Sequence, residues 1–358
     1  MGTIACDKSR HSQPAASRPA TPAGAATTQE PAQTAPAAPQ VLWRYAATAG
    51  FETTPAVTGE SIFLGDQTGT LHALNATTGK LRWTQPLGRR LTSPPVVRDG
   101  VVYVGDLDGI FHAVDGAGGQ ERWTFTCRGA IWAAATLIEG GLLVADESGQ
   151  VVRLDGQGTL LWKWQGGGRI NAAAALWRDQ AIFAGCDGAI HGLALADGAE
   201  RLSISLDGPA GAMPLLIGDT AIIGVAGGKI QAVNLATGKQ EWSFEGPSAD
   251  MVYASPVLCA EAVVVAIGDQ VVSLDQAGGR QRWLWQAPAS IEAAMTIQGQ
   301  QVHIALLDGH VFTLDGQTGQ PRARWAAGAA ISAGPVVQGG RILIADRQGV
   351  VYYLAEIF

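Results

Sequence analysis

Long apolar runs and an excess of positive charge are both missing from this sequence of 358 residues. No segment reaches the roughly 18 consecutive apolar residues that a membrane-spanning helix needs, so we expect no transmembrane span. Lys and Arg number 24 against 31 Asp and Glu, which gives a formal net charge of −7. Because nucleic-acid binders present basic patches to phosphates, this balance argues against a nucleic-acid partner.

Cysteine is scarce, and the common catalytic motifs are missing. The four cysteines form no Cys-x-x-Cys pair, which indicates neither a zinc site nor a disulfide framework. The signatures of serine hydrolases, zinc proteases and P-loop nucleotidases do not occur. The sequence therefore predicts no catalytic residues and leans away from an enzyme.

Tryptophan, in contrast, recurs with a regular period of about 40 residues. The series has one gap, which Leu202 fills in a segment that otherwise keeps the pattern, so the chain contains eight repeats. We interpret the tryptophans as structural docking residues that bridge adjacent sheets. The docking set is Trp43, Trp83, Trp123, Trp162, Trp242, Trp283 and Trp325.

Each repeat is typical of a four-stranded antiparallel meander. In the repeat from Ser93 to Trp123, four short β-branched or aromatic runs are separated by Asp-Gly, Asp-Gly and Gly-Gly, which are hairpin turn signals. His72 and His112 occupy the same position in neighbouring repeats, and we interpret them as histidines between sheets rather than a metal pair. An all-β fold of eight equal sheets follows.

One repeat is divided between the two ends of the folded part. The segment that begins at Val41 matches the last strand of a repeat, whereas the chain ends with the other three strands and no tryptophan after them. We therefore predict that the N-terminal strand completes the C-terminal sheet and closes a ring, which covers the sheet edges that an open stack would expose.

The first 40 residues differ from the rest, because they are rich in Ala and Pro and show no hydrophobic periodicity. Such a segment is typical of a disordered tether, so we divide the chain into a tether over 1–40 and a folded domain over 41–358. Cys6 follows a small residue near the start and precedes this linker, as in a bacterial lipoprotein. The alternative is an ordinary tail with an incidental cysteine.

The repeats resemble the PQQ-type repeat with its tryptophan-docking motif. The pattern occurs in full as Ala73-Leu74-Asn75, Thr78-Gly79-Lys80 and Trp83, and again in the repeat that ends at Trp242. The resemblance extends over 41–358 and implies an eight-bladed β-propeller in the quinoprotein-dehydrogenase-like superfamily. WD40 repeats fit poorly, because no Gly-His opens the repeats and no Trp-Asp closes them.

Two branches of this superfamily imply different functions. Quinoprotein dehydrogenases hold PQQ and Ca²⁺ over the central channel and carry adjacent cysteines and long loop insertions, which this chain lacks, so we expect no cofactor. The tether and the minimal repeats are more similar to the BamB-type propeller lipoproteins of the outer-membrane β-barrel assembly machinery. That resemblance implies a monomeric, non-enzymatic scaffold, exported to the periplasmic face of the envelope, that binds protein partners through rim loops.

A ligand, if one binds, is expected at the mouth of the central channel. Aligning the position before each first strand gives Glu52, Thr92, Trp132, Ala172, Ala212, Tyr253, Glu292 and Ser332. Carboxylates and aromatic rings in one funnel could hold a cation, a sugar or a peptide, so a carbohydrate- or ligand-sensing propeller is a further alternative. The same side chains could simply plug the channel. The candidate site is Glu52, Arg90, Trp132, Arg169, Tyr253 and Glu292.

Overall fold

The computed structural model describes residues 39–355. Only Pro39 and Gln40 of the expected tether lie in this range, and Cys6 lies outside it. The described residues form strands joined by turns, and among them there is no helix long and apolar enough to cross a membrane.

Thirty-two strands form eight four-stranded antiparallel sheets, the blades, and the fold is an eight-bladed β-propeller as predicted. Blade 1 contains β2 (Ala56–Thr58), β3 (Ser61–Gly65), β4 (Thr70–Asn75) and β5 (Leu81–Pro86). Blade 2 contains β6 (Val96–Arg98), β7 (Val101–Gly105), β8 (Ile110–Asp115) and β9 (Glu121–Thr126). Blade 3 contains β10 (Thr136–Ile138), β11 (Gly141–Ala145), β12 (Gln150–Leu154) and β13 (Leu160–Gln165). Blade 4 contains β14 (Ala175–Trp177), β15 (Gln180–Ala184), β16 (Ala189–Ala194) and β17 (Glu200–Ser205).

The second half of the ring repeats this order. Blade 5 contains β18 (Leu215–Ile217), β19 (Thr220–Val225), β20 (Lys229–Asn234) and β21 (Lys239–Glu245). Blade 6 contains β22 (Val257–Cys259), β23 (Ala262–Ile267), β24 (Gln270–Asp275) and β25 (Gln281–Gln286). Blade 7 contains β26 (Thr296–Gln298), β27 (Gln301–Ala305), β28 (His310–Asp315) and β29 (Pro321–Ala326). Blade 8 contains β30 (Val336–Val337), β31 (Arg341–Ala345), β32 (Val350–Ala355) and β1 (Val41–Ala46).

The blades have two distinct faces, because an antiparallel meander alternates its turns. The innermost strands, which come first in each blade, contact one another around the axis. The turns between second and third strands and the connections between blades lie on one side, which we call the upper face. The turns between first and second strands and between third and fourth strands lie on the lower face.

Strand β1 is the outermost strand of blade 8. It pairs antiparallel with β32, with Arg44 opposite Tyr352 and Ala46 opposite Val350, across a register shift between Val41 and Trp43. The backbone N–H of Ala355 also donates to the carbonyl of Gln40 at 2.8 Å. The first and last described strands therefore share one sheet.

Six tryptophans dock on the next blade in the same way. The indole of Trp43 donates from Nε1 to the carbonyl of Ala76 at 3.1 Å and lies over Gly79, where a Cβ would be 2.5 Å from Cε3 of the indole. Gly79 has φ +68°, which favours glycine, and the close approach of the ring leaves no room for a side chain. The same contacts recur at Trp83, Trp123, Trp162, Trp242 and Trp283.

The prediction for Trp325 is wrong. In blade 6, Ser273 is opposite Trp283 and Val271 is opposite Trp285, whereas in blade 7 Thr313 is opposite Ala323 and Val311 is opposite Trp325. Ala323 therefore holds the docking position, and Trp325 is the counterpart of Trp285. Its ring packs edge-on against Tyr352 of blade 8 at 4.8 Å, as Trp285 packs against Phe312 at 4.9 Å.

The core consists of apolar layers between successive blades rather than one central cluster. Between blades 3 and 4, for example, Trp162 packs with Phe183 and Leu193. Between blades 4 and 5, Leu202 packs with Val233 in place of a tryptophan. Because each layer has two neighbouring blades as its walls, the layers fix the radial position of every innermost strand and so determine the shape of the channel mouth.

Candidate axial site on the upper face

A repeated backbone contact positions the side chains that surround the channel mouth. On the upper face, the N–H of the second residue in the turn between the second and third strands donates to a carbonyl in the connection that enters the same blade. The pairs include Gln67 to Gly50, Leu107 to Arg90, Glu147 to Ala130 and Arg347 to Ala330, at 2.9–3.0 Å. Each turn is thereby held against the connection that carries the predicted axial residue.

A buried carboxylate anchors this turn in blades 1, 3 and 8. Asp66 accepts hydrogen bonds from the N–H groups of Thr68 and Thr70 at 2.8 and 2.9 Å, and Asp146 and Asp346 do the same in blades 3 and 8. Backbone and side-chain hydrogen bonds lower the pKa of Asp66 despite its burial, so the carboxylate stays ionised. The turn geometry is therefore fixed by the sequence of each turn.

Ion pairs join four blades at the mouth, namely blades 1, 2, 7 and 8. Glu52 of blade 1 accepts a hydrogen bond from Nη2 of Arg90, and its other carboxylate oxygen lies 3.6 Å from Nε of Arg347 in blade 8. Nη2 of Arg347 also lies 3.5 Å from a carboxylate oxygen of Glu292 in blade 7. The side chain of Glu52 is 15% exposed, whereas that of Glu292 is 41% exposed, so the inner pairs are better shielded from solvent than the outer one.

Trp132 extends this network into blade 3. The guanidinium of Arg90 lies 5.8 Å from the centre of the indole ring, within the range of a cation–π contact. The indole Nε1 donates to Glu147 at 3.4 Å. Burial, and then the nearby charge of Arg347, lower the pKa of Arg90. Glu52 offsets that repulsion, because it lies between the two guanidinium groups.

The structure brings together four of the six predicted site residues: Glu52, Arg90, Trp132 and Glu292. Arg169 and Tyr253 lie at the same level in blades 4 and 6. The carbonyl of Arg169 accepts the N–H of Cys186 at 3.0 Å, and Tyr253 precedes β22 with the same spacing as Glu52 precedes β2.

The predicted axial residues of blades 4 and 5, Ala172 and Ala212, are each one residue too late in the sequence. Counting back from the first strands β14 and β18 places Asn171 and Gly211, rather than Ala172 and Ala212, at the position of Glu52. Asn171 is 6% exposed. Strand β14 begins 39 residues after β10, whereas β10 begins 40 residues after β6 and β18 begins 40 residues after β14. One residue fewer in blade 3 therefore shifts both positions, and the 39-residue spacing from Trp123 to Trp162 shows the same difference.

Sequence reasoning missed Arg347 and Glu147. Each is the second residue of an upper-face turn. Arg347 of blade 8 contacts Glu52 of blade 1 and Glu292 of blade 7, and Glu147 contacts Trp132 of its own blade. The repeat contained a signal for them, since this turn position follows an Asp in blades 3 and 8, as it does in blades 1 and 2. That position was interpreted only as part of a turn.

The aligned histidines are held by side chains of their own or the preceding blade. His72 is 5% exposed, with Nε2 2.9 Å from Asp66 and Nδ1 3.0 Å from the hydroxyl of Tyr45. Nδ1 of His112 lies 2.7 Å from Glu121. Within residues 39–355, no three His, Cys, Asp or Glu side chains are grouped so as to hold a metal ion.

The family model described as outer membrane protein assembly factor BamB matches this chain in overlapping segments. They span residues 32–163, 100–222, 147–260 and 226–325, which together include most of the sequence. The chain belongs to this family. No curated protein matches it in sequence.

Solved structures share the fold at low sequence identity. BamB from Moraxella catarrhalis is 19% identical, with a TM-score of 0.76 over 88% of this chain and 99% of that one. The computationally designed Ika8 protein is 18% identical, with a TM-score of 0.76 over 87% and 97%. Quinohemoprotein alcohol dehydrogenase from Comamonas testosteroni is 14% identical, with a TM-score of 0.76 over 88% of this chain and 76% of that one.

The axial residues of this BamB-family propeller do not fit PQQ with Ca²⁺. A calcium ion requires several oxygen ligands, and the carboxylates of Glu52 and Glu292 face arginines instead. The acidic groups of PQQ would require guanidinium partners, yet Arg90 and Arg347 are both engaged with Glu52. Binding would have to break these internal pairs.

Proposed function

We propose that this protein is a non-enzymatic interaction scaffold of the cell envelope that binds protein partners through the loops of its rims. In this proposal it is exported, functions as a monomer, and is attached to a membrane by a lipid on Cys6. It uses no cofactor. The main support for this proposal is that the chain belongs to the BamB family.

The axial site supports a scaffold more than an enzyme. Its charged side chains neutralise one another across blades 1, 2, 7 and 8, and none of these four side chains is positioned as a general base beside a nucleophile. Ion pairs of this kind hold blades in place.

A quinone-dependent oxidoreductase is the second candidate, because the fold is shared with quinohemoprotein alcohol dehydrogenase from Comamonas testosteroni. That likeness concerns the fold alone. The paired state of Glu52 and Arg347 argues against this candidate.

Purification of the full-length chain from its native host tests the scaffold. We expect envelope proteins of the outer-membrane assembly apparatus to copurify with it in stoichiometric amounts. Leu107→Glu places a charge on an exposed leucine of the upper face and should reduce the yield of partners about tenfold, since charge is excluded from the centre of most interfaces. Ala117→Glu, on an exposed lower-face turn of the same blade, is the matched control. If no envelope protein copurifies with the wild-type chain, the proposal is refuted.

A further inference from the structure

The outermost strand of each blade has a neighbour on one side only. Natural sheets protect such edges with charged side chains, because an exposed edge can pair with another chain. In six blades the residue just before the docking position is charged: Arg82, Arg122, Arg201, Glu241, Arg282 and Arg322. In blade 3 this residue is Leu161, and in blade 8 it is Leu42.

The arginine at this position usually pairs with the aspartate that begins the preceding turn. Arg282 lies 3.2 Å from Asp275, and Arg322 lies 2.6 Å from Asp315. In blade 3 the equivalent aspartate is Asp155, which accepts hydrogen bonds from the N–H groups of Gln157 and Thr159. Because blade 3 has Leu161 in place of the arginine, no arginine among the described residues pairs with this carboxylate.

Strand β13 consequently has the most apolar of the eight outer edges. Leu160 and Leu161 are 41% and 48% exposed, and β13 is the only outermost strand with two exposed leucines among the described residues. The half-buried indole of Trp123 lies over Gly158, two residues before Leu160. We call Leu160, Leu161 and Lys163 the blade 3 edge.

The blade 3 edge is also positively charged. Lys163 is exposed, and in the described part of the chain no carboxylate pairs with it. Arg128, in the connection from blade 2, donates from Nη1 to the neutral amide oxygen of Gln165 at 3.2 Å. Both cations are therefore left without an acidic partner beside an apolar strand.

We propose that the blade 3 edge binds an extended segment of a protein partner, with alternating apolar and acidic residues, as a fifth strand beside β13. The backbone groups on the open side of β13 supply the hydrogen bonds, the leucines bind the apolar residues, and Lys163 and Arg128 bind the carboxylates. This proposal rests on the scaffold function and identifies the chemistry of one partner.

A second copy of this chain is a poorer occupant than an acidic segment. Two β13 strands paired edge to edge would bring Lys163 and Arg128 of each copy into the same small surface. Like charges on neighbouring strands destabilise the pairing. An acidic strand removes that repulsion.

Fluorescence anisotropy with two labelled synthetic peptides tests the proposal on the full chain. One peptide alternates Val and Asp, and the other alternates Val and Lys. We expect the Asp peptide to bind at least about tenfold more tightly, because its carboxylates meet two cations. Leu160→Glu with Leu161→Arg copies the Glu121-Arg122 pair of blade 2 and places an arginine near Asp155. This double variant should lose that binding, whereas Leu81→Glu, an exposed leucine on blade 1, should keep it.

A charge reversal gives a readout that does not depend on the double variant folding. Lys163→Glu should weaken binding of the Asp peptide and strengthen binding of the Lys peptide. Equal binding of both peptides to the wild type, or unchanged binding by the double variant, overturns the proposal. The proposal is also overturned if the wild type forms concentration-dependent dimers that the double variant does not form. In that case the blade 3 edge binds a second copy of the chain.

The proposed function can be judged separately from this edge. If envelope partners copurify with the wild type but the Asp peptide does not bind, the edge proposal alone fails. If no partner copurifies but the Asp peptide binds, the proposal of an envelope scaffold fails and the proposal for the blade 3 edge stands.

Discussion

At the scale of single residues, the docking tryptophans depend on glycines in the next blade. Gly79 illustrates the requirement, since its positive φ and the indole of Trp43 both exclude a side chain. Gly238 has a similar φ of +70°, but no indole lies over it, and the nearest atom to a Cβ there is Cγ1 of Ile204 at 4.0 Å. The two positions separate the cost of the backbone conformation from the cost of displacing a tryptophan.

We predict that Gly79→Ala destabilises the protein by about 2–4 kcal/mol, because the new methyl group must displace the ring. Gly238→Ala should cost only about 1 kcal/mol, which is the backbone term alone. Urea denaturation of both variants measures the difference. Equal costs at the two positions would show that indole docking contributes nothing specific.

His303 makes stability depend on pH. The residue is fully buried in β27, and burial lowers the pKa of its imidazole from 6.5 to about 4. The folded state thus keeps the neutral ring while the unfolded chain takes up a proton. Stability is fully present above pH 6.5 and is lost as the pH falls toward 4, by on the order of 3 kcal/mol.

His303→Leu should remove this contribution, since blade 8 carries Leu343 at the same strand position. We expect the variant to lose less stability than the wild type between about pH 7.5 and about pH 4.5. Denaturant titrations at the two pH values measure this. Parallel losses in the two proteins would assign the acid sensitivity to other groups.

At the scale of elements, β1 supplies the fourth strand of blade 8. Removing residues 1–46 takes away the outermost strand of blade 8 together with Trp43, its docking residue. We predict a loss of at least about 3–5 kcal/mol, which is the range for deleting a large buried side chain. Removing only residues 1–38 is the control and should leave the melting temperature unchanged. Equal melting of the two truncated chains would mean that β1 does not stabilise the ring.

The strands were predictable because each repeat has its own turn signals. Asp-Gly and Thr-Gly turns predicted the hairpins, and the one strand left over at the start and the three at the end predicted the split blade. Exact register was not predictable from tryptophan spacing. Trp325 matches the period within two residues, yet β28 and β29 pair so that Ala323 is at the docking position. A two-residue slip keeps the same face of a strand, so the hydrophobic pattern does not detect it.

At the scale of the whole molecule, the axial site joins residues that are far apart in sequence. Glu52, Glu292 and Arg347 come from blades 1, 7 and 8, and only the closed ring brings them together. Alignment of the repeats identified Glu52 and Glu292 as neighbours of the axis. The alignment could not identify Arg347. Whether a turn side chain extends to the axis depends on the orientation of that side chain and not on the residue type.

The same scale bears on the proposal of a scaffold rather than a quinone enzyme. An axis closed by its own ion pairs resists a ligand that needs free arginines and carboxylates. Breaking the Arg90–Glu52–Arg347 set would leave the carboxylate of Glu52, which is 15% exposed, without its cationic partners, and an unpaired charge in a shielded position is costly. The proposed scaffold function therefore requires that the axial pairs stay intact in the working protein.

Titration of the purified full-length chain with PQQ in the presence of Ca²⁺ tests that claim most directly. Absorbance and calorimetry should show no saturable binding, and an alcohol with an artificial electron acceptor should give no turnover. One equivalent of PQQ bound per chain, lost in Glu52→Gln and Arg347→Gln, would contradict the account.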